Sequence, residues 1–442
     1  MVTTFYKKQF VFIIQILAVG IGLSLSLYAS ENSTAKKLKL KDLIQEALEN
    51  NLEGQAVKQE ALSQKAQIGP MGAYEDPMLA FEAKDYPVNT LSPNQFGMTG
   101  NEVSVTQRVP FPGKLTKLRS ATRKEYESKE SAVHQKELQI TTDVKRVYYE
   151  LFLAYKKHDI LGEQKNLLKQ LVAVARSKYS VGKIPQAELL GFQIEQGKIL
   201  GEILESEKEI KTKNAALNYV LGRKETWVQG KPEDIIKTPF ERLKLNQGNA
   251  LDKALQKNFN LKSAQFMLES AADKSTYAKL TYLPDFELMG GYTFRQPSPG
   301  DPRTDFVSAK IGATIPLWFL SKQSELVKSA SAEKAKAEAM LQEERVRLIQ
   351  EVRTHYAELI QAQQSLDLYE NGILPLARQA VVAGKSSYLT GRLEYISLLS
   401  LINSRFQTEY ATNQALVNYE TKISELEVLL GGSIEEKQGE KP

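Results

Sequence analysis

The stretch "YSVGKIPQAELL" (Tyr179–Leu190) returns as "YLTGRLEYISLL" (Tyr388–Leu399), 209 residues later. Each has Tyr, two residues, Gly, a basic residue, an apolar residue and, five positions on, a pair of leucines. Gly suits a backbone position that is left-handed or closely packed. The chain is therefore expected to make the same tight reversal twice.

The echo extends outward. "ALENNLE" (47–53) returns as "ALQKNFN" (254–260), Pro77 as Pro284, and Arg146 as Arg353, each shifted by 207. Pro110 returns as Pro316, shifted by 206, and Leu221-Gly222 as Leu430-Gly431, shifted by 209. A nearly constant shift marks a tandem duplication, roughly 38–222 and 245–431, with 223–244 as a linker and 432–442 as a polar tail. The period is far too long for a solenoid, so each half is an architectural unit.

Both halves follow one plan. Helical stretches over Leu40 to about Ala73 and Asn249 to about Leu283 lead to a proline. Two alternating segments follow, 78–86 with 101–109 and 285–295 with 304–315. Phe286, Leu288, Tyr292 and Phe294 share one face of the third, and Val307, Ile311 and Ile315 one face of the fourth. Alternation of period two predicts strands. The second strand is rougher, with Gln107 on its apolar side. Long runs without proline come next, Lys114 to about Tyr179 and Ser321 to Leu374, with apolar residues at helical spacing. Pro375 is expected to kink the second run rather than end it. After the quoted turns, shorter helices return over about Pro185–Leu221 and Glu394–Leu430.

At about 1.5 Å per residue, the long runs span roughly 100 Å, the returning helices about 55 Å and the opening ones about 50 Å. One returning and one opening helix, end to end, match one long helix. The fold expected is mainly α: duplicated long hairpins with a small four-strand sheet at one end. The strands are long enough to cross a membrane when tilted. Four are too few to close a barrel, which needs about eight, and open edges are not tolerated in lipid. They either belong to a barrel shared among copies or form a soluble sheet capping a coiled coil. The duplication and an export signal favour the barrel.

That signal is the N-terminus. Lys7 and Lys8 precede an apolar run, Phe10 to Tyr28, ending in Ala29 and Ser30. This pattern predicts an export signal over 1–30, although the run is also long enough for a retained anchor. The net charge of +5 falls to +3 without residues 1–30, so no nucleic-acid footprint is indicated. With no cysteine there is no disulfide, thiolate metal site or thiol catalysis. His134, His158 and His355 show no ligand spacing, and no nucleotide-binding or hydrolase motif occurs. No enzyme activity, cofactor or metal site is expected. Met71, Met78 and Met98 cluster near the first strands, as packing residues or as soft-metal contacts.

The duplicated order, the "YLPDFELMGGYTF" strand, the "QRVPFPGK" junction and the Tyr-x-x-Gly turns together resemble the TolC-type outer-membrane efflux factors. The resemblance covers about 40–431. It implies a homotrimer with a twelve-stranded barrel in outer-membrane lipid and a helical tunnel crossing the periplasm. It also implies an adaptor and an inner-membrane pump as partners. The "VPFPGK" junction is similar to the branch paired with heavy-metal pumps, a weak guide to metal ions over other small molecules. The turns become the tips of the tunnel, with Gly182, Lys183, Gly391 and Arg392 facing the adaptor. Family members carry acids just inside this turn. The matching positions are Glu188 in the first half and Ser397 and Ser400 in the second, where relatives have aspartates. Glu394 is a possible substitute. Phe286, Leu288, Tyr292, Phe294, Val307, Ile311 and Ile315 would face lipid. The rival reading is a periplasmic coiled-coil adaptor anchored by residues 10–28.

Overall fold

The computed structural model describes residues 37–223, 230–243, 245–298, 300 and 302–434. The export signal expected over 1–30, residues 224–229 and 244 of the linker, and 435–442 of the tail lie outside the described residues. Helices α1 (Leu40–Asn50) and α2 (Leu52–Met71) lead to strands β1 (Met78–Lys84) and β2 (Gly100–Val109). Helix α3 (Lys114–Ser180) then runs 67 residues, and α4 (Gln186–Val220) returns beside it. After α5 (Phe240–Leu243) the order repeats: α6 (Gln247–Lys257), α7 (Phe259–Leu280), β3 (Phe286–Phe294) and β4 (Phe306–Ala313). Helix α8 (Gln323–Asp367) continues through a π-helical segment (Leu368–Ile373) into α9 (Leu374–Leu389), and α10 (Tyr395–Leu430) returns.

The opening stretches are not single helices, as the sequence suggested; they divide at Asn51 and Asn258. The Asn51 side chain accepts the Gly54 N–H at 3.0 Å, and that of Asn258 accepts the Leu261 N–H at 3.0 Å. Each thus caps α2 or α7. The same amides donate to Val220 O and Leu429 O, both at 3.0 Å. One asparagine satisfies an orphan donor of the helix it begins and an orphan carbonyl of the helix that has just returned. The returning helices finish at left-handed glycines, Gly222 (φ +70°) and Gly431 (φ +73°). A Cβ there would lie 2.5 Å from the carbonyl oxygen of Asn50 or Lys257. So α4 and α2 abut end to end along α3, and α10 and α7 along α8. The stacked pair measures about 85 Å against roughly 100 Å for α3, because the eleven-residue α1 and α6 fold away from the stack.

Pro375 does not end its helix. It lacks an N–H and crowds the carbonyl four residues back, and the π-helical turn just before it relieves both constraints. The repeat shift also grows here, from 207 at Arg146/Arg353 to 209 at Tyr179/Tyr388. The wider turn lies between these two points, where it can take up an inserted residue in an otherwise matching helix.

Three apolar clusters are strung along this wall. One lies between α1 and α3, around Val144 and Leu151; another lies between α6, α8 and α10, around Val352 and Leu426. The segment 231–238 is strapped across the same region. Tyr148 Oη donates to Leu38 O and accepts the Glu233 N–H, each at 2.9 Å. Buried Glu420 accepts both the N–H (2.7 Å) and the hydroxyl (3.0 Å) of Thr238. Burial raises the Glu420 carboxyl above the ordinary range, opposed by those two bonds.

The sheet is antiparallel in the order β1-β2-β3-β4. Phe81 pairs with Val103, Val103 with Tyr292, and Tyr292 with Val307. Directly paired residues share a face, so one apolar face runs across all four strands. β1, β3 and β4 are shorter than the sequence suggested, and β2 begins one residue earlier, at Gly100. Asp85, at φ +55°, turns the chain away after β1. β4 stops at Ala313, ahead of Pro316, so Ile315 lies beyond the strand. Gln107 lies on the apolar side near the helical end, and its amide donates to Glu75 O at 2.8 Å.

Candidate functional site

Two places combine exposure with specific chemistry: the sheet and the hairpin tips. The sheet is inverted relative to a soluble one. Leu79, Val307 and Ile311 on the apolar face are 71%, 81% and 80% exposed. On the opposite face Glu102, Ser104 and Thr293 are buried. Glu102 receives Lys84 Nζ at 3.3 Å and the Ser308 hydroxyl at 3.1 Å. It occupies space left by Gly291, where a Cβ would lie 2.3 Å from Glu102 Oε1. Lys310 pairs with Glu287 at 3.4 Å on the same face. Leu288, Tyr292 and Phe294 lie on the apolar face with Val307 and Ile311. Phe286 shares it at the end of β3 and is half-buried, and Ile315 is exposed past the end of β4.

The two tips have the same backbone. Gly182 and Gly391 adopt φ +72° and +77°. The N–H of Lys183 reaches Lys178 O at 2.9 Å, and that of Arg392 reaches Ser387 O at 2.8 Å. These are Schellman closures, which bond the amide beyond the glycine back into the last helical turn. Nothing lies within 4 Å of a Cβ built on either glycine, so the backbone angle, not crowding, demands Gly there. Lys183 and Arg392 are exposed and form no ion pair among the described residues.

The tips differ in what lies behind them. Tyr388 is 2% exposed, whereas its counterpart Tyr179 is 43% exposed. The Tyr388 hydroxyl donates to Glu188 Oε1 at 2.7 Å, joining α9 to α4. Burial, and then the Glu188 carboxylate, push that hydroxyl well above its ordinary pKa, so it stays a donor. Lys178 Nζ caps Tyr388 O at 2.7 Å and lies 4.2 Å from the ring centre. Phe192, fully buried, meets the Tyr388 ring edge-on with centroids 5.8 Å apart. Glu188 is thus half-buried and held by the second hairpin. Glu394 precedes α10 without a side-chain cap bond, and Ser397 and Ser400 are exposed. The sequence reading singled out Glu188 but missed Tyr388, Lys178 and Phe192. The tyrosine that opens both quoted stretches was the available signal.

The fold also gathers His355 and Glu358 of α8 with Glu425 of α10. His355 Nδ1 lies 3.2 and 3.4 Å from the two carboxylates, near enough to pair but off the line of a good hydrogen bond. Lys422 Nζ lies 2.9 Å from both. His355, and then Lys422, hold the Glu425 carboxyl down to about 2, while Glu425 raises His355. The Lys422 ammonium already sits between the two carboxylates, so a metal ion would have to displace it.

Known proteins resemble the chain along nearly its whole length. The sequence model of the outer membrane efflux protein family matches residues 43–223 and 250–432. Outer membrane protein TolC of Vibrio cholerae serotype O1 is 20% identical over 297 residues, 65% of this chain and 66% of that protein. The structure of CusC shares the fold with a TM-score of 0.74 at 18% identity, covering 92% of this chain and 96% of that one. The Campylobacter jejuni outer membrane channel CmeC shares it with a TM-score of 0.69 at 16% identity, covering 93% and 92%. Among the described residues no helix is long and apolar enough to cross a membrane. With both halves matched by the family model, the chain belongs to the outer membrane efflux proteins, which sit in the outer membrane with a long helical extension into the periplasm.

Proposed function

We propose that the chain is the exit duct of a tripartite export machine: a homotrimer whose twelve strands close one barrel and whose hairpins form a periplasmic tunnel. The observation that carries this is the inverted sheet. Its apolar face is bare, and the polar side chains Glu102, Ser104 and Thr293 of the two middle strands are withdrawn on the other, as a barrel wall between lipid and a wet lumen requires. Unpaired edges on β1 and β4 need further strands, since lipid does not tolerate an open edge. An inner-membrane pump and a periplasmic adaptor would supply substrate and open the mouth. Solute, a small molecule or a metal ion, would then diffuse through without any chemistry by the duct.

The tips would form the mouth. Lys183 and Arg392, presented by the left-handed glycines, would meet the adaptor. The Tyr388–Glu188 bond would hold neighbouring hairpins together, with Glu394, Ser397 and Ser400 on the adjoining surfaces. Planar-bilayer recording tests this reading. The purified protein should give small conductance steps, and Tyr388→Phe should enlarge them several-fold. Protein that inserts into bilayers but never conducts in either form would contradict it.

A further inference from the structure

The register places six charged side chains on the polar face of the sheet: Glu82 and Lys84 on β1, Glu102 and Arg108 on β2, Glu287 on β3 and Lys310 on β4. In a closed barrel this face lines the lumen. Five of the six are paired. Lys84 meets Glu102 at 3.3 Å and Lys310 meets Glu287 at 3.4 Å. Arg108 meets Glu75, just ahead of β1, at 3.7 Å. The sixth, Glu82, is exposed and has no ion pair or hydrogen bond among the described residues. It stands directly opposite Glu102 in the β1–β2 register. Like charges directly opposed across two strands cost stability. Glu102 turns away into the space left by Gly291, is 4% exposed, and holds Lys84 and the Ser308 hydroxyl. Glu82 has neither a recess nor a partner, so its charge stays in the lumen with no structural return. β1 leaves the helices at Met78 and ends at Lys84, which puts Glu82 toward the outer end of the barrel.

We propose that Glu82 sets the charge preference of the duct: its copies ring the outer half of the barrel lumen and favour cations over anions at the exit. Counting Glu75 with its partner Arg108, four acids stand against three bases, so one negative charge per copy is left over. Rings of carboxylates select cations. The periplasmic mouth has no such surplus among the tip residues described above. There Glu188 and Glu394 are matched in number by Lys183 and Arg392, Glu188 accepts the Tyr388 hydroxyl, and Ser397 and Ser400 are neutral. Charge selection therefore sits at the opposite end of the molecule from the tips. A charge on the lumen wall reaches about 10 Å in 0.1 M salt and about 30 Å in 0.01 M. The preference should sharpen as salt is diluted, which a filter acting by size would not do.

This inference rests on the trimeric duct, and the test separates the two. Reversal potentials across planar bilayers in potassium chloride gradients read the preference directly. The parent should pass potassium several-fold better than chloride, and by a larger factor in dilute salt. Glu82→Gln should bring the two permeabilities close to equality, and Glu82→Lys should favour chloride. Glu82→Asp keeps the charge and should keep the preference. Gln at this exposed position removes the opposition to Glu102, and native mass spectrometry of each variant should show the parent's assembly. A permeability ratio that is the same in the parent and Glu82→Gln, or that follows Glu188→Gln instead, overturns the inference and leaves the duct standing. Protein that inserts but conducts in no variant overturns both.

Discussion

Tyr388 and Tyr179 occupy the same place in the two halves, yet only Tyr388 is buried, with its hydroxyl 2.7 Å from Glu188. Glu188 itself is replaced in the second half by Ser397. The tip contact within the chain thus has a carboxylate acceptor, and the corresponding contact to Tyr179 has at most a serine. The mouth should part more readily on the Tyr179 side.

Tyr388→Phe removes the donor while keeping the ring against Phe192. A bond to a half-buried carboxylate is worth about 1.5–3 kcal/mol. The variant should assemble normally and conduct more, and Tyr179→Phe should change conductance little. Equal effects of the two substitutions would show that Glu188 does not distinguish the tips.

Gly182 and Gly391 stand in open space, so their replacement costs backbone energy alone, about 1–2 kcal/mol for a β-branched residue in the left-handed region. Val at both positions should impair export while trimer yield is unchanged. Asn, which tolerates that region, should restore most of the loss. Unchanged export in the double Val variant would remove the tips from the docking surface.

Gly222 and Gly431 combine the same backbone angle with a carbonyl at 2.5 Å from a Cβ. Ala at either should cost about 2 kcal/mol or more. Asn51→Ala should lose about 1 kcal/mol through the cap. Thermal unfolding in detergent should therefore rank Gly222→Ala as the more damaging, and both below the parent.

The His355–Glu425 pair gives stability a pH window. Glu425 is depressed to about 2, so its share is complete above its ordinary 4.5 and fades as pH falls toward 2. His355 is raised, so its share is complete below its ordinary 6.5 and fades as pH rises through the folded value. Both are present from 4.5 to 6.5. The difference in melting temperature between the parent and His355→Gln should be largest in that window and smaller at pH 9. A difference that grows with pH would contradict the pairing.

Much of the fold was legible because periodicity and punctuation are local. Alternation marked the strands to within a few residues, and Tyr-x-x-Gly marked both tips. The breaks at Asn51 and Asn258 were missed because the apolar rhythm runs on through them, and the Asn amides find their partners, Val220 and Leu429, at the far end of a hairpin. The π-helical segment was hidden because Pro375 announces a disturbance but not its form. At the mouth, Glu188 was legible as an acid inside a turn. Its partner was not, since Tyr388 and Tyr179 look alike until packing buries one of them.

The central claim is a shared barrel in the outer membrane, and native mass spectrometry of protein extracted by detergent from separated membranes tests it most directly. The account predicts a trimer, from the outer-membrane fraction, lacking its first 29 or 30 residues. A species from the inner membrane that keeps residues 1–30, or a monomer from either fraction, would contradict it.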